Sequence, residues 1–301
     1  MSAGGSRKVV LIALGANLGI GVAKLVAALA TGSGSMMAEA IHSFADCGNQ
    51  GLLLVGESRG RKPADDRHPM GYSREAYFWA FLVAVVLFTL GGVFSVYEGI
   101  HKLRDPHAIE HVGWALGVLG VSLVLEGVSL MAALRATKVA RAGEPLLCWA
   151  RRTGDVDLLV VTFEDIAAQA GLAVAFVAVL LAAITGDTRY DAAGSIIVGL
   201  ILLVVAVFIG AQMRRLIVGF TAEPRTYDAI RAVWGEHDFE VLRVIAIWSG
   251  PGKVMVALKV VPKDRSVAAG VLIQRMNAAE TAVRARVPEV AWQFVEPDFE
   301  A

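Results

Sequence analysis

AEAIHSFADCGNQ, residues 38–50, sets polar side chains into a run whose neighbours are apolar. His42 and Asp46 are four residues apart, and Glu39 precedes His42 by three. On a helix all three lie along one stripe. In a water-exposed helix, His42 and Asp46 read as a solvated pair of little consequence. Inside a bilayer there is no water to solvate them, and a charged group at the centre costs about 3 kcal/mol even on permissive scales. The meaning of the stretch therefore depends on whether the chain crosses a membrane.

Composition points that way. The 301 residues are 56% apolar and 19% charged, against roughly 45–50% and about 25% in ordinary soluble domains. Six Leu/Val/Ala/Gly-rich runs lie near 9–30, 35–56, 77–100, 112–134, 157–184 and 192–213. Each is close to the roughly 20 residues that cross a bilayer as a helix. A soluble enzyme with buried helices does not account for six such runs so closely spaced. Segments on the start's side carry Arg7, Lys8, Arg59, Arg61, Lys62, Arg67, Arg74, Arg135, Lys138, Arg141, Arg151, Arg152, Arg214 and Arg215. The opposite loops hold only Lys102, Arg104 and Arg189. This asymmetry predicts both termini on the cytoplasmic face, in a membrane of bacterial inner-membrane type. A formal net charge of zero gives no support to nucleic-acid binding. Cys47 falls in a span and Cys148 in a cytoplasmic connection, so no disulfide framework is predicted. The short basic start leads straight into a full-length span and does not read as a cleavable signal peptide.

The composition changes after Arg215. Residues 226–237 have helical spacing, and EVLRVIAIW (240–248), KVMVALKVV (253–261) and VAWQFVEP (290–297) read as strands. A helix before the third strand is stopped by Pro288. The order α-β-β-α-β predicts an antiparallel sheet with helices on one face. The predicted architecture is a six-helix transmembrane domain over 1–221 and a small α+β domain over 222–301. The tail's ten Lys/Arg and eleven Asp/Glu rule it out as a basic nucleic-acid module.

Ionisable residues within spans are functional candidates by default. The second span adds Asn49 and Gln50 to Glu39, His42 and Asp46. The fifth offers Glu164, Asp165 and Gln169, with Asp165 and Gln169 on one face and Glu164 about a quarter-turn away. One imidazole and carboxylates from two helices suit a divalent first-row metal. A proton relay is a live rival, because His and Asp also carry protons. Glu126, mid-span in the fourth run, fits either a structural hydrogen bond or the proton path. Asn17 and Lys24 fit the lining of a cavity, with snorkelling open to Lys24. Glu98 and Lys102, four apart, are predicted to pair.

HSFADCGNQ (42–50), DDRHPMGYSREAYFWAF (65–81), VYEGIHKL (96–103) and DAAGSIIVGLIL (191–202) together resemble the cation diffusion facilitator family of divalent-metal transporters. The resemblance runs over nearly the whole chain. It is nearest to the subgroup with the mitochondrial zinc exporters, whose fifth span also reads ED. It implies six transmembrane helices, a ferredoxin-like cytoplasmic tail, a homodimer and metal/proton antiport. It carries a transport site over to His42, Asp46 and Asp165, while the fourth family position is Val161 here. Asp65 and His68 match a second family site, in which Tyr72 stands where a later histidine is found. In the tail, FVEP places Phe294 at a family histidine position, which leaves a dimerisation module without a resolved metal sensor. For the tail's one other pair, His237 and Asp238, a surface pair is the favoured reading.

The reading is a secondary transporter that carries Zn2+, or Mn2+, Fe2+, Co2+ or Cd2+, out of the cytoplasm against protons. No prosthetic group is implied. The rivals are a membrane-bound metal-dependent enzyme, which would need an open coordination position and a general base, and a non-transporting membrane scaffold.

Overall fold

The structure is a computed structural model and describes residues 18–106 and 111–298. Asn17, Arg7 and Lys8 lie outside the described residues. We label the helices α1 (18–31), α2 (Gly34–Gly60), α3 (Glu75–Arg104), α4 (Val112–Ala140), α5 (Leu146–Ala150), α6 (Val156–Thr185), α7 (Arg189–Val218), α8 (Pro224–Glu236) and α9 (Ala269–Arg286). The strands are β1 (Phe239–Gly250), β2 (Lys253–Pro262) and β3 (Val290–Pro297).

Four helices, α3, α4, α6 and α7, are long and apolar enough to cross a membrane by length and composition. Their outward faces are apolar, as at Val124, Ile184 and Val204. α2 has 27 residues, ample length, but Glu39, His42 and Asp46 make its mean hydropathy low. Its polar stripe both hides it from a hydropathy scan and marks it as the helix of interest. α1 is described for 14 residues. With these two, the six-helix expectation is met.

By contacts the chain divides into two compact units. The first holds the helices through 55, 79–146 and 157–212. Its core joins α1, α2, α4 and α6 through Ala27, Ala28, Met36, Ala115, Leu119, Leu172, Ala175 and Val179. α3 and α7 meet over glycines: a Cβ on Gly99 would stand 2.6 Å from Ile196 Cγ1, and one on Gly92 2.6 Å from Leu203 Cδ2. Such close approach is how helices gain contact in lipid, where the hydrophobic effect between them is lost. A wide π turn, Leu87–Val93, contains Gly92.

Around the start of α2, Asp191 of α7 accepts from Gly34 N (2.7 Å), Ser33 Oγ (2.7 Å), Ser35 N (3.2 Å) and Ser35 Oγ. A carboxylate there satisfies orphan N–H groups and opposes the helix dipole. Lys102 Nζ reaches Asp191 Oδ2 at 3.7 Å and donates to Gly32 O. The predicted Glu98–Lys102 pairing is thus corrected. A buried carboxylate on a neighbouring helix attracts the ammonium more strongly than a less buried one a turn away.

The second unit comprises 56–78, 147–156 and the chain from 213. Its strands and helices fall where alternation and periodicity put them. β1 and β2 form an antiparallel hairpin, and β3 pairs with β2 in parallel, in the order β1-β2-β3. The all-antiparallel expectation is corrected: α9 is a crossover connection that returns the chain to the same end of β2, which makes β3 parallel to it. Val254, Val256, Leu258 and Val260 turn the buried face of β2 inward. Trp248 lies against Gly154, where a Cβ would fall 2.5 Å from the indole.

Candidate metal-transport cavity

The residues of the opening stretch come together with α6 and α4. A cavity of about 20 Å³ is lined by Ser43, Asp46 and Gln50 of α2, Glu126 of α4, and Val161, Glu164 and Asp165 of α6. That space admits about one water-sized occupant. Four carboxylates face it.

Each is positioned differently. Asp165 Oδ2 accepts from Ser129 Oγ at 3.0 Å. Glu164 Oε1 accepts from Asn49 Nδ2 at 2.7 Å, so Asn49 acts behind the wall. Asp46 Oδ1 is buried with no hydrogen-bond partner. His42, 1% exposed, holds Nδ1 3.5 Å from that oxygen without forming a hydrogen bond, and both its ring nitrogens are unpartnered. His42 thus sits beside the cavity and is not among its lining residues. Gln169 packs its amide near Gly127. Among the described residues, no three His, Cys, Asp or Glu side chains already stand close enough to hold an ion together.

Sequence reasoning placed Asp46, Glu164 and Asp165 and weighed Glu126. It missed Ser43 and Ser129. α4 is the least covered apolar span, 17% buried over its most apolar window against 39–44% in α3, α6 and α7. Its buried residues are Ala115, Leu119, Ser122, Ala133 and Thr137, and Glu126, which lines the cavity, falls four residues after Ser122 and seven before Ala133 on the same side. Glu126 and Ser129, three apart on that side, were a legible signal.

Asp65 and His68 lie in the connection between α2 and α3. Asp65 accepts from Tyr72 OH (2.6 Å), His68 N (2.7 Å) and Arg67 N (3.0 Å), and His68 Nδ1 stands 3.4 Å from it. The Tyr72 hydroxyl first, then the His68 N–H, hold its carboxyl below the usual carboxylate range. That bonding is therefore present above the ordinary carboxylate pKa and is lost as pH falls through the lowered one. Asp65 as placed closes its own turn. In the tail, His237 Nδ1 lies 2.9 Å from Val233 O at the end of α8, and Phe294 is exposed.

Residues 10–218 match the family described as Cation efflux transmembrane domain. The chain is 37% identical to Metal tolerance protein C4 of Arabidopsis thaliana over 186 residues, 61% of this chain and 41% of that protein. It is 36% identical to the mitochondrial proton-coupled zinc antiporter SLC30A9 of Homo sapiens over 222 residues, 73% of this chain and 39% of that protein. It is 31% identical to the magnetosome protein MamM of Paramagnetospirillum magneticum over 128 residues, 40% of this chain and 39% of that protein. The matches span about two fifths of these relatives' length.

Proposed function

Because the chain belongs to the cation diffusion facilitator family of cation efflux proteins, we propose that it exports a divalent metal cation, zinc foremost, in exchange for protons. The carrying observation is the cavity itself: Asp46, Glu126, Glu164 and Asp165 face one ion-sized space inside a helical bundle built for lipid. Anionic oxygens concentrated where water is scarce are costly unless a cation or protons neutralise them. The same oxygens can hold either, but not both, since ligands bind metal deprotonated. Exchange follows from that competition. His42, whose Nδ1 stands 3.5 Å from Asp46 Oδ1, is the nitrogen donor beside the site in this scheme; Gln50 is the cavity's neutral amide. Asp65 and His68 have no place in this scheme.

The family is one of transporters, so the metal-dependent enzyme weighed above is set aside. The chain is an integral, multi-pass membrane protein. A bacterial-type inner membrane with both termini cytoplasmic suits the Lys/Arg asymmetry. Homodimerisation through the tail suits exposed Phe294 and Ile245 at the two edge strands. Trp248 is already covered by Gly154 and is no part of that surface.

The test is zinc uptake by the full chain in proteoliposomes. Uptake rises with an imposed proton gradient and falls when an ionophore collapses it at fixed zinc. Zinc binding weakens as pH drops, because protons compete with the metal for the same ligands. Uptake indifferent to the gradient makes the protein a uniporter.

Val161 supplies no ligand, so the cavity's charged donors are all oxygen. Oxygen donors serve harder ions such as Mn2+ well, and imidazole favours zinc. Val161→His adds a nitrogen on the cavity wall, one turn before Asp165. Competitive uptake of Zn2+ and Mn2+ then shifts toward zinc by about tenfold, which is about 1.4 kcal/mol of differential ligation. An unchanged ratio excludes residue 161 from the ion's path.

A further inference from the structure

Lys24 and Glu39 form an ion pair for which the exchange scheme has no use. Both are fully buried, with Nζ 3.4 Å from Oε2. The same Nζ donates to Ser43 Oγ at 2.8 Å, and Ser43 belongs to the wall of the carboxylate cavity. Glu39 Oε1 is buried without a hydrogen-bond partner and close against Gly171, where a Cβ would stand 2.7 Å from it. The pair therefore links α1, α2 and α6 directly behind the site. As a mere anchor it is poorly chosen, since two well-packed apolar side chains hold helices together without desolvating two charges. What an apolar pair lacks is a fixed charge beside a cation's binding place.

We propose that Lys24 is a tethered counter-cation of the transport cavity, a positioning residue that weakens the site's grip on the divalent ion and keeps release fast. Glu39 holds the ammonium in place and offsets part of its charge. Ser43 connects it to the wall, and its Oγ lone pair taken by Lys24 is withdrawn from an incoming ion. The four carboxylates alone would make a deep well for a divalent cation. A transporter turns over faster when its site binds firmly enough to load and loosely enough to let go. The inference rests on the cavity being the transport site.

The test measures initial zinc uptake against zinc concentration in proteoliposomes of the full chain, at fixed pH. Glu39→Gln leaves the ammonium without its counter-charge, and KM rises about tenfold. Lys24→Met combined with Glu39→Gln removes both charges; KM falls at least threefold and kcat falls with it, because release slows. Lys24→Arg keeps the charge and keeps KM near the wild-type value. An anchoring role would lower kcat and the yield of folded protein in both charge variants and leave KM alone. KM moving in the same direction in the two variants, or in neither, overturns the proposal. Should Glu39→Gln not fold, the double variant against Lys24→Arg decides it alone, an unmoved KM overturning it. Asp165→Ala runs beside them: if it transports zinc normally, the cavity assignment falls and this inference with it, whereas abolished uptake with unmoved KM values refutes the counter-cation alone.

Discussion

Asp46→Ala and Asp165→Ala each lower zinc uptake by at least about a hundredfold while the purified protein stays folded. The size follows from losing a charged interaction worth about 3 kcal/mol at a buried site. The fold survives for a reason visible at each position. Asp46 Oδ1 makes no hydrogen bond, so the substitution takes away a buried, unsatisfied oxygen. Asp165 gives up one bond, to Ser129 Oγ, on a hydroxyl that can turn to another acceptor. Carboxylates forced together in low dielectric repel, so each removal relieves the others. The checks are uptake rate, circular dichroism and gel-filtration profile on the same preparations. Wild-type uptake by either variant would mean that the ion takes another path.

Gly199→Val gives the second large effect, on stability. Gly199 of α7 faces α3 so closely that a Cβ would lie 2.7 Å from Val96 Cγ2 and 2.8 Å from both Gly92 O and Val96 N. Two of those atoms are backbone, so no rotamer change clears the space. The helices must part, and overpacking of this kind costs about 1–3 kcal/mol or more. For a chain of this size the melting temperature in detergent falls by about 5–10 °C. Gly117→Ala on α4, where nothing lies within 4 Å, leaves it unchanged. Equal melting of both variants would show that α3 and α7 do not depend on that contact.

What could be read from the sequence was what local pattern encodes. The tail's strands were legible from alternation, and four spans from their unbroken apolar length. α2 was legible for the opposite reason, its polar stripe being unaffordable in lipid without a purpose. Relations between elements were not legible. The parallel pairing of β3 depends on where α9 sets the chain down. Glu164 was placed a quarter-turn off the Asp165 face, yet both line the cavity, because the space lies between α2 and α4 and takes in more than one stripe of α6. Gln169, on the predicted stripe, meets Gly127 instead. Asp191 went unnoticed as a cap because its partners are about 157 residues away in the chain.

That cap has a mechanical consequence. Gly34, Ser33 and Ser35 are bound to one carboxylate, and Lys102 brings α3 to the same point. A rod fastened at one end by several bonds swings rather than slides. Asp46 lies twelve residues beyond Gly34, about 18 Å along the helix at 1.5 Å per residue. A tilt of α2 too small to register near Asp191 is thereby magnified at the cavity. Spectroscopic labels placed near 34 should report stillness, and labels near 54 the stroke.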